Sequence, residues 1–165
     1  MDAAEVSGLL EATVARLRAA GVHDESMAVL KHSRGVLGLG ASDSLVPAGR
    51  AWRLGVLLLS QDGSLYATGE VTRAVQPGRA AVNRSAAGEQ RRAIRAMAAR
   101  GNFPRGEVVN YGWEPIALDA ASLAAGSGLL SMSDGEIRVR IDPGDLGVVP
   151  LRRYLDDRVG ILLGD

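Results

Sequence analysis

The sequence predicts an α+β fold: a mainly antiparallel sheet centred on a hairpin over residues 51–75, packed against an N-terminal helix over 2–20 and a helix over 86–100. The most apolar block of the chain folds back at Asp62-Gly63, a residue pair that suits a tight hairpin turn. Both helical segments repeat apolar residues with the spacing of an amphipathic helix. Strands and helices therefore both have direct support in the sequence.

Length and composition predict one globular domain, 1–165. Hydrophobic residues make up 47% of the chain and charged residues 23%, as in ordinary globular proteins. The sequence has no cysteine, which excludes disulfides, thiol nucleophiles and cysteine-ligated metals. Because no long apolar run and no signal-peptide pattern is present, we expect a cytoplasmic protein and no membrane partner.

The N-terminal helix has three independent signals. Asp2 and Glu5 have the spacing of a capping box, with Asp in place of Ser or Thr. Gly21 stands where a left-handed C-terminal cap belongs. The apolar stripe consists of Val6, Leu9, Leu10, Val14 and Leu17.

Residues 22–50 have weaker signals. Residues 25–32 are compatible with two helical turns or a short strand, whereas the glycines, serines and Pro47 that follow are typical of a loop. A loop of this length is uncommon in a compact domain and is often a lid or a partner-binding segment. An irregular strand is the other interpretation.

The first arm of the predicted hairpin is apolar on both faces, so it should be covered on both sides. Helix 86–100 should begin after a cap at Asn83 or Ser85 and end at Gly101. The other predicted elements are a strand over 107–118 that Pro115 places partly at an edge, a short helix over 119–125 capped by Asp119, a hairpin over 129–132 and 136–142, a helix over 150–157 and an apolar tail over 159–163.

The residues predict no catalytic set. His23 and His32 lack the helical spacing of a shared metal site. Serines are plentiful, but neither a G-x-S-x-G nor an S-x-x-K pattern occurs in the sequence. An enzyme would have to use polar groups of the 22–50 segment with one of the histidines.

A glycine-rich stretch at 35–40 reads G-x-x-G-x-G, which is the wrong order for the dinucleotide-binding fingerprint. The phosphate-binding pattern G-x-x-x-x-G-K-[ST] is absent as well. The sequence therefore predicts no cofactor and no metal.

The charge pattern has one long-range feature, a basic middle segment. The formal net charge is zero, but residues 71–106 hold eight arginines and one acid, which gives +7, and residues 107–165 hold ten acids and five arginines, which gives −5. A helix N-terminus favours anions, so arginines around the start of helix 86–100 indicate an anion site. The candidate anion-binding residues are Arg73, Arg79, Arg84, Arg91, Arg92 and Arg95.

These arginines have several interpretations. They could form a solvated face, pair with the acidic C-terminal segment, bind a small anionic ligand or protein partner, or bind nucleic acid. The neutral net charge and the single interleaved aromatic residue, Phe103, disfavour nucleic acid.

Two stretches, WRLGVLLLSQDGSLYATGEVTRA and EQRRAIRAMAARGNFPRGEVVNYGWEPIAL, resemble a group of small actinobacterial proteins of unknown function, some of which carry a glutaminase label. The resemblance covers residues 50–120. It implies glutaminase-like amide hydrolysis, which requires an activated nucleophile and an oxyanion hole. The sequence has neither the cysteine of amidotransferases nor the S-x-x-K of serine-type glutaminases.

The sequence favours a non-catalytic cytoplasmic domain that binds a partner or self-associates. Segments of +7 and −5 could meet across a symmetric interface, which favours a homodimer. A small hydrolase is the first alternative. Binding of an anion or nucleic acid through the arginines at 73–95 is the second.

Overall fold

The computed structural model describes residues 3–33, 42–78, 85–126, 128–141 and 147–164. Its helices are α1 Ala3–Ala19, α2 Ala86–Arg100, α3 Ala120–Ala125 and α4 Leu151–Leu163. Its strands are β1 Glu25–Ser33, β2 Ser42–Leu54, β3 Leu57–Ser60, β4 Leu65–Ala67, β5 Glu70–Arg73, β6 Val108–Tyr111, β7 Glu114–Pro115, β8 Leu130–Ser133, β9 Glu136–Arg140 and β10 Val148–Pro150. None of the four helices is long and apolar enough to cross a membrane.

The strand arrangement confirms the α+β class. Seven strands are hydrogen-bonded in the order β5-β6-β1-β2-β3-β4-β7, and three more in the order β10-β9-β8. β1 and β6 run parallel, whereas β1–β2, β3–β4, β4–β7, β5–β6, β8–β9 and β9–β10 are antiparallel. The larger sheet is therefore mainly antiparallel, and its middle strand is β2, whose last residues open the predicted hairpin.

The chain divides into two compact units. The first comprises Met1–Asp24, Trp52–Thr68 and Glu114–Asp165, and the second comprises Glu25–Ala51 and Gly69–Trp113. Each unit has its own cluster of buried apolar side chains.

The core of the first unit is built on α1 and β3. The predicted stripe of α1 is buried, with Leu17 fully inaccessible. In β3, Leu57, Leu58 and Leu59 are all fully buried, and Leu57 and Leu59 belong to the same cluster as the α1 stripe. Neighbouring residues of a strand point to opposite faces, so β3 is covered on both sides, as predicted.

The first arm of the predicted hairpin is interrupted at Gly55, which has φ +65° and turns the chain between β2 and β3. Tyr154 of α4 clamps this turn from both sides. Its hydroxyl donates to the Leu54 carbonyl at 2.7 Å and accepts from the Val56 N–H at 2.8 Å. A Cβ at Gly55 would collide with that hydroxyl, so the turn and the tyrosine are matched.

The predicted turn at Asp62-Gly63 is confirmed, with Gly63 at φ +86°. The Asp62 carboxylate accepts hydrogen bonds from the Ser60 hydroxyl and from the Ser64 N–H, the latter at 3.0 Å. These bonds hold the pKa of Asp62 below its ordinary value, and the bond from Ser60 has the largest effect.

The return arm predicted over 65–75 is two strands. β4 pairs with β3, whereas β5 pairs with β6. Gly69 stands at the break, and its backbone lies so close to the carbonyls of Tyr111 and Gly112 that a Cβ has no room. This close approach binds the start of β5 to the end of β6.

Residues 22–50 follow the irregular-strand interpretation and not the loop interpretation, because β1 and β2 pair antiparallel along most of the segment; residues 34–41 lie outside the described part. Pro47 and Gly49 had indicated a loop. The register shifts between Ser26 and Ala28, so that Ala48 and Gly49 oppose Met27 alone. A bulge of this kind accommodates proline and glycine inside a strand.

Helix α2 covers one face of the second unit's strands, with the predicted bounds. The Ser85 hydroxyl caps it by accepting from the Gly88 N–H at 3.1 Å, and the helix ends at Gly101. Ile94 and Ala98 are buried in a cluster completed by Ala28, Leu45, Ala74 and Val109.

A partly buried polar network connects β1, β2 and the start of β6. The Asn110 amide, fully buried, donates to the Glu25 carboxylate at 2.8 Å and to the Ser26 carbonyl at 3.3 Å. Arg50 donates to Glu107 at 2.7 Å and to the Ser26 hydroxyl at 3.2 Å. Polar groups that are removed from water need hydrogen-bond partners, and this network supplies them.

The strand predicted over 107–118 is two strands, β6 and β7, with different partners, because the chain turns between them at Gly112, which has φ +66°. Asp119 caps α3 by accepting from the Ser122 N–H at 3.0 Å, and Pro115 lies in edge strand β7. The helix over 150–157 and the tail over 159–163 are one helix, α4, because Val159 is buried in the core and Gly164 forms the C-terminal cap.

Tyr154→Phe should lower the free energy of unfolding by about 1–3 kcal/mol, because a part-buried N–H and carbonyl would lose their partner. Urea denaturation measures the change. Tyr111→Phe is the matched control. Its hydroxyl bonds the exposed Glu70, which water can solvate, so the loss should stay below about 1 kcal/mol. Equal losses of unfolding free energy in the two variants would contradict the stabilising role of the two Tyr154 hydrogen bonds.

Asp62→Asn should destabilise the protein near neutral pH but not in acid. A folded-state pKa below the unfolded value gives stability that is present above the unfolded pKa and is lost as pH falls through the folded pKa. Urea midpoints of both proteins at about pH 7 and about pH 2 test this. A difference that is the same at both pH values would argue against it.

Candidate functional site

A cleft of about 270 Å³ opens between α2 and the strands that it covers in the second unit. Leu30 of β1, Glu70 of β5 and Tyr111 of β6 form its sheet side. Ala87, Gln90, Arg91 and Ile94 of α2 form its helix side. The cleft is therefore apolar in part, with polar groups on both sides.

Strand register brings the three sheet residues together. Glu70 is the cross-strand partner of Tyr111. β1 and β6 run parallel, so Leu30 and Tyr111 lie towards the same end of their strands. Leu30 pairs with Leu45, which is buried in the α2 cluster, and cross-strand partners share a face. Leu30 therefore faces α2 as well.

Tyr111 and Glu70 form a hydrogen-bonded pair on the sheet side, with the hydroxyl donating to the Glu70 carboxylate at 2.6 Å. Partial burial, and then the hydrogen bond to Glu70 and its negative charge, raise the pKa of Tyr111 to about 12. The hydroxyl therefore keeps its proton at neutral pH. Glu70 retains lone pairs that can accept from a ligand.

The helix side has two arginines one turn apart. Arg91 lines the cleft, and Arg95 follows it at the i+4 position. Both are exposed, and neither has a hydrogen bond or an ion pair within the part of the chain that the structure describes. Like charges at this spacing destabilise a helix by about 0.2–0.5 kcal/mol, so this pair costs stability when no anion is bound.

The other candidate arginines do not join this pair. Arg73 donates to the Gly106 carbonyl at 3.4 Å, and Arg92 donates to the Gly78 carbonyl. Arg79 and Arg84 lie outside the described residues. Of the predicted anion-binding set, the structure thus brings Arg91 into the cleft with Arg95 beside it.

The two histidines lie in different units. His32 Nδ1 is 2.7 Å from the Asp43 carboxylate, on the same face of β1 as Leu30, and both side chains of the pair are exposed. His23 lies 3.9 Å from Asp24. The His32–Asp43 pair resembles the orienting half of a catalytic triad. Among the described side chains, no serine or threonine hydroxyl bonds to His32.

A second cavity, of about 240 Å³, lies in the first unit. Its carboxylates are already bonded: Glu11 accepts from the Ser7 hydroxyl at 2.9 Å, and Asp62 belongs to the hairpin turn. Within the described ranges, no group of three or more histidine, aspartate or glutamate side chains is placed to hold a metal ion.

Sequence reasoning missed Leu30, Glu70, Gln90 and Tyr111 as members of a site. Their positions span most of the second unit, and no motif spacing connects them. The sequence predicts strands over 65–75 and 107–118, but nothing in it indicates that they pair and place Glu70 opposite Tyr111.

Arg95→Glu should raise the free energy of unfolding by about 0.5 kcal/mol at low salt, because it replaces a like-charge pair by an opposite-charge pair. The gain should disappear at about 1 M salt, where the Debye length is about 3 Å. Urea midpoints at both salt concentrations measure it.

Arg153→Glu is the matched control for that change. Arg153 lies 3.8 Å from Asp157 at the same spacing on α4, and both are exposed, so this variant should lose the stability of that pair, offset in part because an acid is favourable in the first turn of a helix. A loss in Arg95→Glu would show that Arg95 has a stabilising partner.

Comparisons with models of protein families, with curated proteins and with solved structures found no match to the chain. The resemblance of residues 50–120 to the actinobacterial group therefore stays a prediction.

Proposed function

We propose that the chain is a non-catalytic cytoplasmic module that binds a partner polypeptide in the cleft beside α2. One observation supports the proposal above the others. The cleft combines an apolar floor with the exposed Arg91, and neither Arg91 nor Arg95, one turn further along α2, has a hydrogen bond or an ion pair within the described ranges. A ligand that is apolar and anionic would complement both features.

The free energy of binding would come from two sources. Leu30 is 37% exposed at the floor of the cleft, and covering apolar surface contributes about 25 cal/mol per Å². A hydrogen bond from a guanidinium group to a carboxylate contributes about 1.5–3 kcal/mol. The bound anion would also relieve the repulsion between Arg91 and Arg95.

A polypeptide is favoured over nucleic acid because, of the candidate arginines that the structure describes, Arg91 alone lines the cleft. Arg73 and Arg92 each donate to a backbone carbonyl, and Arg95 lies one turn from Arg91 on α2. Nucleic acid binding depends on many phosphate contacts and on aromatic stacking.

A small hydrolase is the second candidate, and the His32–Asp43 pair is the observation in its favour. A carboxylate that holds histidine in one orientation is one part of a hydrolytic site, but a nucleophile and an oxyanion hole are needed as well. Binding is favoured because the described side chains place no hydroxyl nucleophile against His32.

Peptides selected on this protein should bind through Arg91. Random libraries displayed with free amino ends and with free carboxyl ends are selected on the full chain, and the enriched peptides are synthesised for fluorescence polarisation. Arg91→Gln should weaken their binding about 10–100-fold, because it removes a hydrogen bond to charge of about 1.5–3 kcal/mol.

Arg153→Gln, a change of an exposed arginine on α4, should leave that affinity unchanged. The double variant His23→Ala, His32→Ala should also bind normally, whereas a hydrolase would lose its activity. The proposal is wrong if no peptide is enriched, or if Arg91→Gln binds like the original chain. An Arg91-dependent dimer in sedimentation equilibrium would identify a second copy of the chain as the partner.

A further inference from the structure

The size of the cleft limits what it can hold. Its volume of about 270 Å³ lies just below the range of about 300–1,000 Å³ that is typical of pockets for drug-sized ligands. One residue of a polypeptide fits this volume, with the rest of the chain outside.

Hydrogen-bond donors and acceptors lie on opposite sides of the cleft. The helix side presents donors, namely the Arg91 guanidinium and the Gln90 amide. The sheet side presents acceptors, because Tyr111 donates its proton to Glu70 and the Glu70 carboxylate has further lone pairs. Between them, Leu30, Ala87 and Ile94 provide apolar surface. A matching ligand has an anion, an N–H group and an apolar group close together.

We infer that the cleft takes the carboxyl-terminal residue of a partner polypeptide when that residue has an aliphatic side chain, an inference that rests on the proposed function. Arg91 binds the terminal carboxylate, with Arg95 adding positive charge one turn away. Glu70 accepts from the residue's amide N–H, and Tyr111 holds Glu70 in place. The aliphatic side chain covers Leu30 and Ile94.

Charge complementarity selects a terminal residue over an internal one. The backbone of an internal aliphatic residue is uncharged, so it would leave Arg91 without an anion in a partly desolvated cleft. An internal acidic residue supplies the anion but not the aliphatic group. Within a polypeptide, an aliphatic residue carries both the anion and the aliphatic group only when it is the carboxyl-terminal residue.

Titration of the ¹⁵N-labelled full chain with N-acetyl-Gly-Gly-Leu as the free acid, followed by amide-detected NMR, tests the inference. The free acid should shift resonances of residues 87–94 and of Glu70 and Tyr111. The carboxamide of the same peptide should bind at least about tenfold more weakly, because it has no charge for Arg91. In Arg91→Gln the two probes should bind alike, whereas Arg153→Gln should preserve the difference.

Two further probes test the side chain and the source of the ligand. N-acetyl-Gly-Gly-Gly as the free acid should bind at least about tenfold more weakly than the leucine peptide, because it covers no apolar surface. Free leucine has the same carboxylate and side chain but an ammonium group in place of the amide N–H, so it separates a free amino acid from a polypeptide end as the source of the ligand. Tighter binding of free leucine would overturn the polypeptide in favour of a free amino acid.

The outcomes separate this inference from the proposed function. If selected peptides bind through Arg91 while acid and carboxamide bind equally, the binding function stands and the carboxyl-terminal inference is overturned. If neither the selection nor the probes give Arg91-dependent binding, both are overturned. Shifts confined to residues outside the cleft would overturn the assignment of the site.

Discussion

The register of β1 on β6 depends on the buried amide of Asn110, and the cleft depends on that register. The amide finds both of its partners, Glu25 and the Ser26 carbonyl, only when the two strands align as they do. A slip by one residue would turn Leu30 to the opposite face and leave the buried amide unpaired, at a cost of about 1–3 kcal/mol. The residues that set this register therefore also set where Leu30 and Tyr111 lie.

Local signals predicted the elements that depend on local interactions. The stripe of α1, the Ser85 cap of α2 and the Asp62-Gly63 turn are all present as predicted. The first part of β2 had two interpretations, because Pro47 and Gly49 favour a loop in isolation. Pairing with β1 accommodates them in a bulge, and a bulge is a property of two strands, so one strand's sequence does not reveal it.

The cleft was predictable only in part, for a related reason. Counting charge by segment located the basic region but not the bonds of its members: Arg73 and Arg92 satisfy backbone carbonyls, whereas Arg91 reaches the cleft. Glu70 and Tyr111 are far apart in sequence and become neighbours only when β5 pairs with β6. Without that pairing, an acid and a tyrosine at two strand ends indicate nothing about a ligand.

The crowded backbone at Gly69 has a consequence for recognising relatives of this chain. A side chain at that position would collide with the carbonyls of Tyr111 and Gly112, so a protein that keeps the sheet side of the cleft should keep glycine there. The helix side has no such restriction, and it can change with the ligand. Gly69-Glu70 together with Tyr111-Gly112 is therefore a short signature by which distant relatives can be sought, even where their helices differ.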